Sequence, residues 1–378
     1  MTDTQFSSEY TPPQPAPPPT PHSLPPCPFV AGSRIIDPRL FVGRRDELRV
    51  LRDRMTGAQP TSLNLYGERR IGKSSLLYHF FQSWTQRVSA AERFVVVYLS
   101  LQDARTDTEE AFYRAVALGL AERPGIQSHP NARNSLRTSR WDRQAFNSAI
   151  ESVHQAGLLP VLCLDEFDAL FEKNAPFDDR FFDNLRALMD GSHLMLILST
   201  HLPLDVYRKQ KRLTSSFFNL GHTLPLDRLS PEEAGELVRL PASTVADALP
   251  ALGLDEQQTA LAWGDRHPYL LQLAASALCD AQRTGKDKAW ARRQFDAQAK
   301  RLPQPPLARR LLYPFRWLLW DFPRSIGSLA QRIGVRVDEM MSWLIGMGIL
   351  LALALGLAGL LSQTQILSLL AGLFGISP

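Results

Sequence analysis

Between Gly67 and Ser74 the chain reads GERRIGKS, which satisfies the spacing G-x-x-x-x-G-K-[ST]. The chemistry this spacing serves is the holding of phosphate. Glycines let the backbone curl until its N–H groups face inward beside the N-terminus of the next helix. The cradle would run through Gly67, Glu68, Arg69, Arg70, Ile71, Gly72, Lys73, Ser74 and Ser75. Lys73 would reach the β- and γ-phosphates of a nucleotide, and the Ser74 hydroxyl would ligate Mg²⁺. Such a cradle needs an acidic group at the end of a neighbouring strand. The stretch VLCLDEF, residues 161–167, supplies one. Asp165 is the candidate metal-side carboxylate, sharing the ion with Ser74, and Glu166 the candidate base that orients or deprotonates a water.

These residues need elements to carry them. DPRLFVGRRDELRVLRDRM, 37–55, enters a helix near Arg44, with Leu48, Leu51 and Met55 at helical spacing. TSLNLY, 61–66, reads as a buried strand, and SSLLYHFFQSW as the helix directly after the glycine turn. Further strands are expected at 93–101, 159–166, 194–200 and 222–226, with helices near 108–122, 142–156 and 178–190. Near-continuous apolar strands alternating with helices indicate a parallel sheet covered on both faces, an α/β fold. After it, SPEE at 230–233 places Ser at the N-cap, Pro at N1 and Glu at N3, a capping box that opens a helix carrying Leu237 and Leu240. Two more helical stretches follow at 254–264 and 268–283. They form a helical lid, a hinge whose closure a γ-phosphate can bias.

Five segments together resemble the STAND branch of the AAA+ superfamily, in particular its prokaryotic AAA-like P-loop ATPases. FVGRRDEL, 41–48, is similar to the family's F-x-G-R-x-x-E-L motif upstream of the phosphate loop. GERRIGKSSLL resembles its form of Walker A, and LCLDEFD its Walker B. SSFFNLGHTLPLDRLSPEEAGELV, 215–238, looks like the segment joining the last core strand to the lid, and GDRHPYLLQLAA, 264–275, like the G-x-x-P-x-x-L-Q motif inside it. The resemblance covers roughly residues 37–300. It implies that Val42, Gly43 and Arg44 line the adenine pocket, Arg44 offering a polar contact, and that His267 and Pro268 approach the nucleotide from the lid. It implies a sensor role for Thr200 at the end of the strand beside Walker B. In YRKQKR, 207–212, Arg208 and Arg212 are candidates for an arginine completing a neighbour's site, or members of a solvated charged loop.

Composition bounds the rest. The 378 residues are 44% hydrophobic, room for two or three domains with cores. The net charge of +4, with scattered basic residues, permits a nucleic-acid partner without demanding one. Cys27, Cys163 and Cys279 are distant in sequence and odd in number, which fits neither a disulfide framework nor a zinc site and suits a reducing compartment. No basic segment followed by an apolar run opens the chain, so a cytoplasmic location is expected. The stretch TPPQPAPPPTPHSLPPCP, 11–28, belongs to a proline-rich tail expected to be disordered over 1–36. Alternatively, it would serve as a ligand for an SH3- or WW-like partner.

The C-terminal quarter carries two open questions. SIGSLAQRIGVRVDEMMSWL, within a region bounded as 303–348, resembles the helical part of a winged-helix domain, which would bind DNA or only pack on the lid. After Glu339 there is no Asp, Glu, Lys or Arg, and 349–378 is an apolar tail. WLIGMGILLALALGLAGLL, 343–361, is long enough to cross a hydrocarbon layer about 30 Å thick, at roughly 20 residues per crossing. The same helix could instead be buried in the winged-helix core or an oligomer contact. If it is an anchor, Arg332 and Arg336 keep the rest on the inner, cytoplasmic face.

The expected architecture is therefore a P-loop NTPase parallel sheet over 37–228, a helical lid over 229–302, a winged-helix-like all-α region and an apolar C-terminal helix. The expected function is a switch that binds ATP with Mg²⁺, hydrolyses it, and couples nucleotide state to lid closure, oligomerisation and signalling. The implied partners are ATP and ADP, a homo-oligomer and a separate sensor or effector protein, since no 20–50-residue repeat supplies a sensor. Three alternatives stand beside it: a nucleotide-dependent DNA-binding regulator, a scaffold holding ATP without turnover, and a defence protein whose tail acts on a membrane.

Overall fold

Five parallel strands form the sheet of the α/β part of the chain. In the computed structural model, which describes residues 26–300 apart from 104–105, 173–176 and 244–247, they are β1 (Leu63–Tyr66), β2 (Phe94–Ser100), β3 (Leu159–Asp165), β4 (Met195–Thr200) and β5 (Thr223–Pro225). Their order across the sheet is β2-β3-β4-β1-β5. Registers Ser100↔Asp165, Leu164↔Leu198 and Tyr66↔Thr200 bring the C-terminal ends of β1, β3 and β4 together. The α/β expectation therefore holds, each strand end lying within a residue or two of its predicted place.

The alternation within the strands decides which helix goes where. Leu63, Leu65, Val96, Val161, Cys163 and Ile197 point to one face, where α1 (Arg45–Thr56) and α2 (Lys73–Ser83) cover them with Leu48, Leu51, Met55, Leu76 and Phe80. The intervening residues Val95, Val97, Leu162, Leu164, Leu196 and Leu198 point to the other. That face is covered by α3 (Glu109–Ala121), the short α4 (Pro124–Gln127) and α5 (Pro130–Ser135), α6 (Arg143–Gln155), α7 (Ala169–Glu172) and α8 (Asp179–Asp190). A strand buried on both faces draws apolar residues to both, which is why these strands read as near-continuous apolar runs.

Residues 207–212, weighed as a charged loop, belong mostly to α9 (Leu204–Lys211). Leu204 and Tyr207 are buried three residues apart, so one apolar face suffices to hold a helix whose other side is charged. Arg208 lies within α9 and Arg212 caps it in the left-handed region (φ 54°).

The lid consists of α10 (Pro231–Val238), α11 (Leu254–Gly264), α12 (Pro268–Thr284) and α13 (Lys288–Ala299), the last not expected from the sequence. The capping box is present: Ser230 Oγ accepts from the Glu233 amide at 3.2 Å, and Glu233 Oε2 accepts from the Ser230 amide at 3.0 Å. Leu237, Val238, Leu271, Ala274, Leu278 and Phe295 form its core.

The tail expected over 1–36 ends sooner. Phe29 is buried in the lid core, the Val30 amide donates to Gln272 Oε1 at 2.9 Å, and the Ile35 amide donates to Ser75 Oγ at 3.1 Å. Between Pro28 and Pro38 the prolines stop, so the backbone regains donors, and Phe29 supplies an apolar side chain to bury. The cysteines are also less separate than their spacing implies. Cys27 packs against the lid core, where a hydrogen bond with Cys279 draws its thiol down to about 7. Residues 1–25, the winged-helix-like stretch and the apolar tail with its span at 343–361 lie outside the described residues. Among the described residues no helix is long and apolar enough to cross a membrane.

Candidate nucleotide site

The chain leaves β1 at Tyr66 and turns through Gly67–Gly72 into α2. Gly67 could be no other residue: a Cβ there would lie 2.6 Å from the Leu226 carbonyl oxygen, because β5 ends against the loop. Arg70 (φ 65°) and Gly72 (φ 100°) both take left-handed conformations, which curls successive amides toward one side. Gly72 caps α2 without any side-chain hydrogen bond, and the first turn contains no acidic residue. The N-terminal amides of α2, with their positive end of the helix dipole, are thus left for an anion.

Lys73 is 8% exposed. Its ammonium donates to the carbonyls of Gly67 and Glu68 at 2.7 and 2.9 Å. Burial lowers its pKa to about 8 against the opposing charges of Asp168, Asp165 and Glu166. Three carboxylates therefore share the environment of one buried ammonium at the mouth of the loop. Ser74 is half-buried in the first turn of α2, and the neighbouring Ser75 spends its hydroxyl as the acceptor for Ile35.

Asp165 ends β3 and is 2% exposed. Its Oδ1 accepts from Ser199 Oγ at 2.7 Å and from the Glu166 amide at 3.1 Å, while Oδ2 accepts from the Tyr98 phenol at 2.6 Å. Glu166 is held in the left-handed region (φ 55°), and the Ser100 hydroxyl donates to its Oε2 at 3.1 Å. Burial, then the charge of Asp165, raises the Glu166 pKa.

Sequence reasoning passed over a third carboxylate. Asp168, third acid of LCLDEFD, is 6% exposed and pairs with His201 Nδ1, with Tyr207 donating to it at 3.3 Å. Burial alone would push this carboxyl up, but the hydrogen bond and charge of His201 bring its pKa below the ordinary value. The signal was available in the motif itself: Asp168 is the third acid of the same short stretch, in the turn directly after β3.

Other candidates are placed differently from expectation. The Thr200 hydroxyl is fully buried and faces Asn64 Oδ1 at 2.9 Å and the Leu202 carbonyl at 2.7 Å, so it is turned into the sheet. Arg44, expected to offer a base contact, is 4% exposed, and its guanidinium donates to the carbonyls of Ile71 at 3.1 Å and Asp227 at 2.6 Å and to Glu47 at 2.9 Å. A buried guanidinium must satisfy its donors internally, and here it ties the phosphate loop to the lid linker. Gly43 lies against Glu233 and Val42 packs on the lid core.

The lid reaches the loop at two points. His267, the N-cap of α12 ahead of Pro268, places Nε2 3.5 Å from Glu68 Oε1. Burial, followed by the charges of Arg228 and Arg44, holds its pKa down to about 4, so the ring is neutral at pH 7. Its Nδ1 is buried without a hydrogen-bond partner among the described residues. Arg70 lies over the Tyr269 ring, 4.3 Å from its centroid. Arg69 is exposed.

The residues fit a magnesium nucleotide. A glycine cradle, an uncapped helix start, a buried lysine and a strand-end aspartate are present. Among the described residues no three His, Cys, Asp or Glu side chains group to hold a metal ion by themselves.

Comparison with known proteins agrees with the geometry. Residues 57–205 match the family described as AAA domain. The chain resembles the Walker-type ATPase PABY2304 of Pyrococcus abyssi at 16% identity and a TM-score of 0.50, over 88% of this chain and 89% of that one. It also aligns with the Aeropyrum pernix ORC1 protein, solved in complex with DNA, at 14% identity over 88% and 93% of the chains with a TM-score of 0.47. Cdc6p from Pyrobaculum aerophilum aligns at 15% identity over 92% and 86% with a TM-score of 0.45. No curated protein matches the sequence. The fold is that of the P-loop NTPases, and residues 57–205 carry an AAA-type P-loop domain.

Proposed function

We propose that this chain binds ATP with Mg²⁺ on the Gly67–Ser75 loop, hydrolyses it slowly, and acts as a switch of the STAND type. The observation that carries the reading is the convergence of Lys73 with Asp165, Glu166 and Asp168 at the uncapped start of α2. On this reading the amides of α2 bind the phosphates, Lys73 neutralises charge that builds on them, and Glu166 takes the proton of the attacking water. Ser74 and Asp165 would hold Mg²⁺, which supplies further charge neutralisation when bound. His267 and Arg70 bridge lid and loop, and Arg45 pairs with Glu236 of α10 at 2.7 Å. These contacts support a lid whose position depends on what the loop holds. Oligomerisation, with Arg208 or Arg212 reaching a neighbour's site, a separate sensor protein and a cytoplasmic location belong to the same proposal.

The test is phosphate release by the full-length chain and by Glu166→Gln, with bound nucleotide measured in both. The expected result is turnover by the parent and retained, unhydrolysed ATP in the variant. Nucleotide bound by both and hydrolysed by neither would remove the enzymatic claim; no bound nucleotide in either would remove the site.

A further inference from the structure

The segment ahead of the core ties the lid to the metal-side carboxylate. Tyr98 lies on β2 opposite Cys163, so Asp165 is its diagonal neighbour on the α2 face of the sheet, within reach of an aromatic side chain. The phenol oxygen stands 2.6 Å from Arg34 Nη1 and 2.6 Å from Asp165 Oδ2. The direction of both bonds follows from the chemistry. A guanidinium has no acceptor, so the phenol must accept from Arg34, and its single proton goes to Asp165. Donation from a charged group polarises the O–H and strengthens its bond to the carboxylate.

Arg34 is held there by aromatic faces. Its guanidinium carbon lies 4.1 Å from the Tyr78 centroid and 4.9 Å from that of Tyr98, and the two rings meet edge-on at 5.2 Å. Its Nε is buried without a hydrogen-bond partner among the described residues, a cost accepted for this placement. Five residues upstream, Phe29 is buried in the lid core, and the Val30 amide donates to Gln272 of α12. The Ile35 amide fastens the other end to Ser75 in the first turn of α2.

We infer that Phe29–Ile35 is a strap that fixes the orientation of Asp165 from outside the sheet, with Arg34 and Tyr98 as positioning residues and the lid at its far end. The inference rests on the reading of Asp165 as a magnesium ligand. Ser199 and the Glu166 amide hold Oδ1 from within the core; Oδ2 is held by Tyr98, whose proton is directed by a residue that moves with the strap. Displacement of α12 pulls Phe29 and Val30, and through them loosens the carboxylate. Groups that hydrogen-bond a metal ligand set its orientation and hence its affinity for the ion.

The experiment is equilibrium binding of a fluorescent ATP analogue to the full-length chain, in EDTA and across a Mg²⁺ titration. Tyr98→Phe keeps the ring and loses only the hydroxyl. Its binding in EDTA should match the parent, while the Mg²⁺ concentration at half-effect rises about tenfold. Arg34→Ala should raise that midpoint about threefold, and Arg34→Lys, which retains a donor for the phenol, should recover most of the loss. Phe29→Ala, cutting the lid end with Arg34 and Tyr98 intact, should move the midpoint the same way. A Tyr98→Phe titration coincident with the parent's overturns the strap; an unmoved midpoint in Phe29→Ala overturns its connection to the lid. A parent that binds nucleotide without response to Mg²⁺ overturns the metal assignment, and a parent that binds none overturns the functional reading, each taking this inference with it.

Discussion

Replacing Glu233 by alanine tests how the lid is joined to the core. The carboxylate serves two amides at once: Oε2 accepts from Ser230 at 3.0 Å, closing the capping box, and Oε1 accepts from Arg44 at 2.5 Å across 189 residues of chain. It approaches because position 43 is glycine; a Cβ there would stand 2.9–3.0 Å from three Glu233 side-chain carbons. Ser230→Ala removes the cap to α10 but leaves the Arg44 bond, and should cost about 1 kcal/mol. Glu233→Ala removes the reciprocal half of the box and strands the amide of a residue only 4% exposed. A lost charge-assisted bond with a buried donor left unpaired costs about 2 kcal/mol, so the total should be about 3 kcal/mol. Urea unfolding of the parent and both variants, followed by circular dichroism, measures the difference. Glu233→Ala costing no more than Ser230→Ala would show that the Arg44 contact contributes nothing and would refute the reasoning.

Two further perturbations probe the lid. His267 has its pKa lowered from 6.5 to about 4, chiefly by burial. The unfolded chain therefore takes up the proton first, so stability is full above pH 6.5 and falls as pH drops toward 4, by at most about 3 kcal/mol from this group. His79, also held down to about 4 by burial and then by Arg87, adds a loss of the same sign. His267→Gln should flatten the decline in urea midpoint between pH 7 and pH 4.5, and an unchanged decline would exclude His267 as a contributor. Gly264→Ala would place a Cβ 2.8 Å from the Leu271 Cα, where neither helix backbone can yield cheaply. The expected cost is about 3 kcal/mol, seen as earlier proteolysis within α11 and α12; equal protease resistance would show that the helices can separate.

The parts of the site that lie close together in sequence were legible in it. Gly67–Ser74 declares a phosphate loop because backbone curl, lysine and hydroxyl are all set by spacing within eight residues. Asp165 and Glu166 are marked by the apolar run that delivers them, and the capping box of α10 by four consecutive residues. The strand alternation that separates the two helical layers was equally present, although the runs looked continuous because both faces are buried. The strand order β2-β3-β4-β1-β5 was not, since alternation of elements is the same for several orders.

What the sequence determined by itself is therefore local: a glycine-rich turn between strand and helix carrying Lys73 and Ser74, and the Asp165–Glu166 pair at the end of an apolar run, whose geometry depends on local backbone. What the tertiary structure decided is who stands behind them. Tyr98 in FVVVYLS reads as one more strand aromatic until β2 pairs with β3 and sets it diagonal to Asp165. Arg34 reads as the end of a tail until aromatic faces and Phe29 pin it to the fold. Arg44 reads as a ligand contact until burial commits its guanidinium to the Ile71 and Asp227 carbonyls. In each case a long-range pairing fixes the role, because a buried polar group takes whichever partner the packed chain brings within hydrogen-bond distance.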